Sequence, residues 1–188
     1  MATEGPSEAA AERQVRYALR RRGIRCGPGR HLGAIIPRSA LRRDALYELL
    51  KRALHRRQRA VGGGGDYDVV GVAEGTLLYV EVKSSAPRNI EQRQIGAFVE
   101  RVAALAPNMA VLLNDTQLRM LDKLIPALRT ELRRHQLGGG SLRRVQGEIF
   151  SRGDRLFVTN SEPDLVGNLG TCLARFFRAR SLTSTGAR

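Results

Sequence analysis

The stretch Asp66–Ser85, DYDVVGVAEGTLLYVEVKSS, constrains this chain more than any other. It reads as a β-hairpin because apolar residues fill both flanks of Glu74-Gly75, and glycine supplies the positive φ that a two-residue turn needs. A turn at that point fixes the register, with partner residue numbers summing to 149. Asp68 then faces Glu81, and Asp66 faces Lys83. Side chains alternate along a strand, so Asp66, Asp68, Glu81 and Lys83 share one face, while Val69, Val80 and Val82 share the other. Two carboxylates and a lysine within about 5 Å of one another form a candidate divalent-metal site with an adjacent cation. Plain charge pairing on a solvated hairpin is the competing explanation.

Charge narrows the partners. The chain has 32 Lys+Arg against 18 Asp+Glu, a formal net charge of +14, which attracts polyanions and favours phosphate contacts. Nearly all the cations are arginine; Lys51, Lys83 and Lys123 are the three lysines. Arginine suits bidentate phosphate contacts, although a GC-rich genome gives the same bias. Keeping a lysine beside Glu81 against that bias points to a use for the ammonium. No apolar run approaches the roughly 18 residues of a membrane span, and the polar N-terminus is unlike a signal peptide. Cys26 and Cys172 have no CxxC partner, so a metal–thiolate centre is unsupported and a cytoplasmic location is expected.

The remaining pattern alternates helices and strands. Residues 1–6 are expected to be frayed. A helix capped by Ser7 and stopped at Gly23 buries Ala11, Val15, Ala18 and Leu19, and Glu8 and Glu12 extend the same stripe. A short strand is expected near Leu32–Ile36. A basic amphipathic helix follows over 39–60, with Leu41, Leu46, Leu49, Leu50 and Leu54 inward and Arg42, Arg43, Arg52, Arg56, Arg57 and Arg59 outward as candidate nucleic-acid contacts. Gly62–Gly65 separates it from the hairpin. Beyond Ser84, another candidate phosphate contact, a helix runs from Pro87–Asn89 to Leu105 with Ile95, Phe98, Val102 and Leu105 inward. Met109–Leu113 is continuously apolar, as in a central strand buried on both faces. A long helix from Asp115, kinked at Pro126, a second hairpin at 148–159 and a helix over 164–178 complete the chain. In domain terms this gives a core over 7–137 carrying the inserted helix, an extension over 138–180 packed on it, and a tail over 181–188.

The spacing Asp68, twelve residues, Glu81-Val82-Lys83, with the order helix, strand, hairpin, helix, strand, resembles the PD-(D/E)xK pattern of the restriction-endonuclease-like superfamily. Archaeal Holliday junction resolvases and a group of archaeal nuclease-like proteins are similar examples. The resemblance covers residues 7–115 and implies an α/β fold with an αβββαβ core around a mixed sheet. It implies a Mg²⁺- or Mn²⁺-dependent nuclease, acting on DNA more than RNA, with a homodimer as one arrangement. Asp68, Glu81 and the Val82 carbonyl would hold the metal, and Lys83 would orient or polarise the attacking water. Many members add a glutamate from the first helix, here Glu12 and then Glu8, with Glu48 on the inserted helix as an alternative. Some add a glutamine from the helix after the motif, here Gln94 or Gln92. Two departures stand out: Tyr67 occupies the position of the motif proline, and a basic helix interrupts the core. A non-catalytic nucleic-acid-binding or assembly protein with the same fold is the other reading.

Overall fold

A computed structural model of the chain describes residues 8–27, 67–73, 75–137 and 140–185. The expected strand 32–36, the basic helix 39–60 with its arginines and Glu48, the glycine run, Ser7, Asp66 and Glu74 all lie outside them. Within the described residues, seven strands form one mixed sheet flanked by four helices.

Helix α1 (Glu8–Arg20) buries Ala11, Val15, Ala18 and Leu19. Gly23, at φ 75°, turns the chain into β1 (Arg25–Gly27). Strands β2 (Val69–Ala73) and β3 (Thr76–Lys83) form the hairpin, with Val69 opposite Val80 and Ala73 opposite Thr76; Gly75 sits at φ 65° in its turn. Over Val69–Ala73 the pairing therefore follows the 149 register; the expected Asp68–Glu81 pair is not part of the ladder. A 3₁₀ turn (Pro87–Asn89) leads to α2 (Gln92–Leu105) and then β4 (Met109–Asn114), whose six residues are all buried. Helix α3 (Leu124–Arg134), strands β5 (Arg143–Gln146), β6 (Ile149–Arg152) and β7 (Leu156–Asn160), and α4 (Leu165–Thr185) follow.

The strand order is β1-β2-β3-β4-β7-β6-β5. The three central strands β3, β4 and β7 run parallel, and an antiparallel wing extends from each side. Helices cover both faces of such a centre because parallel strands are apolar on both sides. Leu77, Tyr79, Ala110 and Leu112 meet Phe98, Leu124 and Leu128 of α2 and α3 on one face. Leu78, Val80, Val82 and Val111 meet Val15 and Leu19 of α1 and Leu169 and Leu173 of α4 on the other.

Several elements differ from the sequence expectation: β1 at Arg25–Gly27 was not foreseen, and Pro87–Asn89 is a separate 3₁₀ turn ahead of α2. Residues 115–123 form a loop and α3 begins at Leu124, so Pro126 sits in the first helical turn, where its missing N–H costs no hydrogen bond and produces no kink. Strand β5 was not expected; its exposed RRVQ pattern gives no apolar signal. Helix α4 continues to Thr185, beyond the expected stop at 178. Among the described residues, no helix is long and apolar enough to cross a membrane.

Candidate active site

The ladder between β2 and β3 stops at Val69–Val80, and Asp68 takes over from the backbone: its Oδ2 accepts the Val82 N–H at 2.8 Å. This anchors the Asp68 carboxylate at the C-terminal end of β3. Glu81 lies in the last turn of the same strand's alternation, on the α2 side, and is 1% exposed. Lys83 ends the strand, and its Nζ lies 2.9 Å from Glu81 Oε1, 3.9 Å from Asp68 Oδ2 and 3.0 Å from Glu8 Oε1, while donating to the Val82 carbonyl at 2.9 Å. Terminal position explains how one ammonium reaches Glu8 on α1 and Glu81 on the opposite layer.

Two further groups hold Glu81. Arg101 Nη1, from α2, lies 2.5 Å from Oε1, and the Tyr79 hydroxyl donates to Oε2. Tyr79 precedes Glu81 by two residues and so shares its face; its ring packs against Tyr67 and Phe98. Burial, and next the charge of Glu81, pushes the Tyr79 hydroxyl well above its ordinary range. Tyr79 was not among the expected site residues, although strand alternation places it on the face of Glu81. Arg101 falls three residues after the buried Phe98, at the margin of the apolar stripe, which is the one sequence signal that could have found it.

Electrostatics separates the carboxylates. Burial, followed by repulsion from Glu81, raises the Asp68 pKa from 3.8 to about 7, with Glu12 adding to the rise and the Val82 N–H and Lys83 opposing it. For Lys83, burial alone would lower the pKa; Glu81, Asp68 and the bonds to Glu81 and Glu8 outweigh it, and the net shift is upward. The ammonium therefore stays charged at neutral pH.

The other expected site residues are found as follows. Glu8 touches Lys83, whereas Glu12 pairs with Arg16 at 3.0 Å and acts on Asp68 through its field. Gln94 closes a capping box at the start of α2, its Oε1 accepting the Glu91 N–H at 2.9 Å. Gln92 donates to Glu131 Oε1 at 2.5 Å and to the Ala127 carbonyl, joining α2 to α3. Both glutamines are thus engaged away from the Asp68–Glu81 pair. Ser84 is half-buried just past Lys83, where Asn114 Nδ2 ties the Lys83 and Ser85 carbonyls to β4.

Among the described residues, no three His, Cys, Asp or Glu side chains form a group able to hold a metal ion. The donors on offer are the Asp68 and Glu81 carboxylates and the Val82 carbonyl. These hard oxygens suit Mg²⁺ or Mn²⁺, which also take water and substrate oxygens. Burial and the charge of Glu81, which raise the Asp68 pKa, are both effects that a cation bound beside the pair would offset. The residues fit such an ion. No family model matches the chain, and neither a curated protein nor a solved structure matches it.

Proposed function

We propose that this protein is a metal-dependent nuclease, hydrolysing phosphodiester bonds in DNA, built on a restriction-endonuclease-like core. The observation that carries the reading is the convergence of Asp68, Glu81 and Lys83 at the C-terminal end of β3, with one ammonium shared among the carboxylates. Two others support it. The elements through β4 run helix, three strands, helix, strand, and the cluster lies at the carboxyl end of parallel strands, where open α/β sheets bind ligands. The net charge of +14 suits a polyanionic substrate.

In this reading Asp68, Glu81 and the Val82 carbonyl hold Mg²⁺ or Mn²⁺, which supplies Lewis-acid polarisation of the phosphate and a more acidic bound water. Asp68 would serve as a ligand in its carboxylate form. Lys83 donates to the attacking water or to a non-bridging phosphate oxygen, and Glu8 and Val82 hold its ammonium in line. Glu8 and Glu12 shape the field from α1.

The test is a cleavage panel over single-stranded, duplex and branched DNA and RNA, with Mg²⁺, Mn²⁺ or EDTA. Asp68→Ala and Lys83→Ala are expected to lower metal-dependent cleavage by about 10²-fold or more while nucleic-acid binding persists. Full cleavage by Asp68→Ala would sink the reading. One observation favours a second reading, a non-catalytic nucleic-acid-binding protein: both oxygens of Glu81 are already engaged by Arg101, Lys83 and Tyr79. It predicts salt-sensitive binding with no metal-dependent turnover on any substrate.

A further inference from the structure

Arg101 is an expensive residue where it stands. Its side chain is 13% exposed, its partner Glu81 is 2% exposed, and its Nε is buried without a hydrogen-bond partner. Charges taken out of water this far are held only by good pairing, yet Glu81 already has a cation in Lys83, 2.9 Å from the same oxygen. A second cation on Oε1 is more than a structural ion pair at Glu81 needs.

The two cations are held differently. Lys83 is tied to Glu8, to the Val82 carbonyl and to Asp68 as well as to Glu81. Arg101 comes from another layer, on a long flexible stem, and its Nη1 is committed to Glu81. Counting Glu8, which Lys83 also touches, three carboxylates thus face two cations. A divalent ion arriving at Asp68 and Glu81 would bring an excess of positive charge, and Arg101 is the cation with fewer ties.

We propose that Arg101 is a positioning residue that stands in for the divalent ion, neutralising Glu81 in the ion-free protein and yielding its place on Oε1 when the ion binds. The inference rests on the ion-binding part of the proposed function. Arg101 then sets the ion concentration at which the site fills, because each binding event must first break the Glu81 pair. It also keeps Glu81 charged and oriented meanwhile, together with the Tyr79 hydroxyl.

The experiment measures Mn²⁺ binding to the full chain, from the paramagnetic resonance of free Mn²⁺, at fixed pH and ionic strength. Removing a positive charge beside a ligand oxygen in a partly buried site is expected to tighten Mn²⁺ binding by Arg101→Gln about tenfold or more. Arg101→Lys keeps the charge and is expected to bind as the wild type does. Mn²⁺ should also raise the melting temperature of Arg101→Gln by more than that of the wild type. Equal or weaker Mn²⁺ binding by Arg101→Gln overturns the inference, since an arginine that only supports the fold, or that orients Glu81 for the ion, gives that result. A measurement on the wild type covers the case in which Arg101→Gln does not fold. Arginine side-chain NMR should show hindered guanidinium rotation at Arg101 that is released by saturating Mg²⁺, and persistence of the hindrance overturns the inference. Absence of Mn²⁺ binding in both wild type and Arg101→Gln removes this inference and the metal-dependent reading together. Saturable Mn²⁺ binding, lost in Asp68→Asn, without cleavage of any substrate removes the nuclease alone.

Discussion

Hairpins lie on both sides of β4, and in two of them, β2–β3 and β6–β7, a carboxylate meets an arginine from a helix. In the β6–β7 turn, Asp154 lies 3.0 Å from Arg175 of α4 and also meets Ser151, with the paired side chains 30% and 41% exposed. In the β2–β3 hairpin, Asp68 stands by the Glu81–Arg101 pair, whose side chains are 2% and 13% exposed. The residue types are nearly the same. Water screens the first pair and offers each partner an alternative, so the turn gains a surface staple of small energy. The second set has no such alternative, and burial together with the charge of Glu81 holds the Asp68 carboxyl above its ordinary range. Depth in the sheet, more than composition, separates a fastening from a site.

Glu81→Ala probes that contrast most strongly. It leaves Arg101 and Lys83 facing each other in an enclosed space, and chemical denaturation should show a loss of about 3–5 kcal/mol. Recovery of much of that loss in Glu81→Leu/Arg101→Leu would show that the charges, not the shape, are responsible.

A smaller effect of opposite sign is expected at Asp68. Its folded pKa of about 7 lies above the ordinary 3.8, so the folded protein holds this proton more tightly than the unfolded chain. The contribution to stability is complete below about pH 3.8 and is lost as pH rises through about 7. Asp68→Asn keeps an acceptor for the Val82 N–H and removes the titration. It should therefore be more stable than the wild type at pH 8 by roughly 1–3 kcal/mol, with a flatter stability profile between about pH 4 and 7. A wild-type stability that does not fall over that interval would contradict the strained-site view. A gain in stability with a loss of function is the pattern of a site held under electrostatic stress.

The smallest change belongs to the other hairpin. Asp154→Ala should cost about 0.2–1 kcal/mol, less at high salt, and leave any cleavage activity intact. A cost matching that of Glu81→Ala would erase the distinction between the two hairpins.

Legibility followed the same division. The β2–β3 register was readable because one glycine fixes the turn and a period of two does the rest. The buried stripe of α1 and the continuous run of β4 were readable because apolar spacing reports burial directly. What surrounds Glu81 was only half readable. Tyr79 follows from strand alternation, but Arg101 reaches the site through tertiary packing of α2, for which a single charge beside an apolar stripe is a faint sign. Gln92 and Gln94 illustrate the converse: glutamines at a helix start have local uses in capping and helix–helix bonding, and sequence alone does not separate those from a use at the site. Strand β5 was invisible because an exposed edge strand carries no apolar code.

One feature of the sheet edge reaches beyond the described strands. The chain leaves β1 at Gly27 and returns at Tyr67, and Gly27 pairs with Val70. Both anchors of residues 28–66 therefore sit at the Asp68 end of β2. That stretch holds nine arginines and lysines against three acidic residues, a surplus of six out of the chain's fourteen. This surplus of positive charge therefore joins the sheet on both sides at the edge that carries Asp68, and its field there favours the approach of anions.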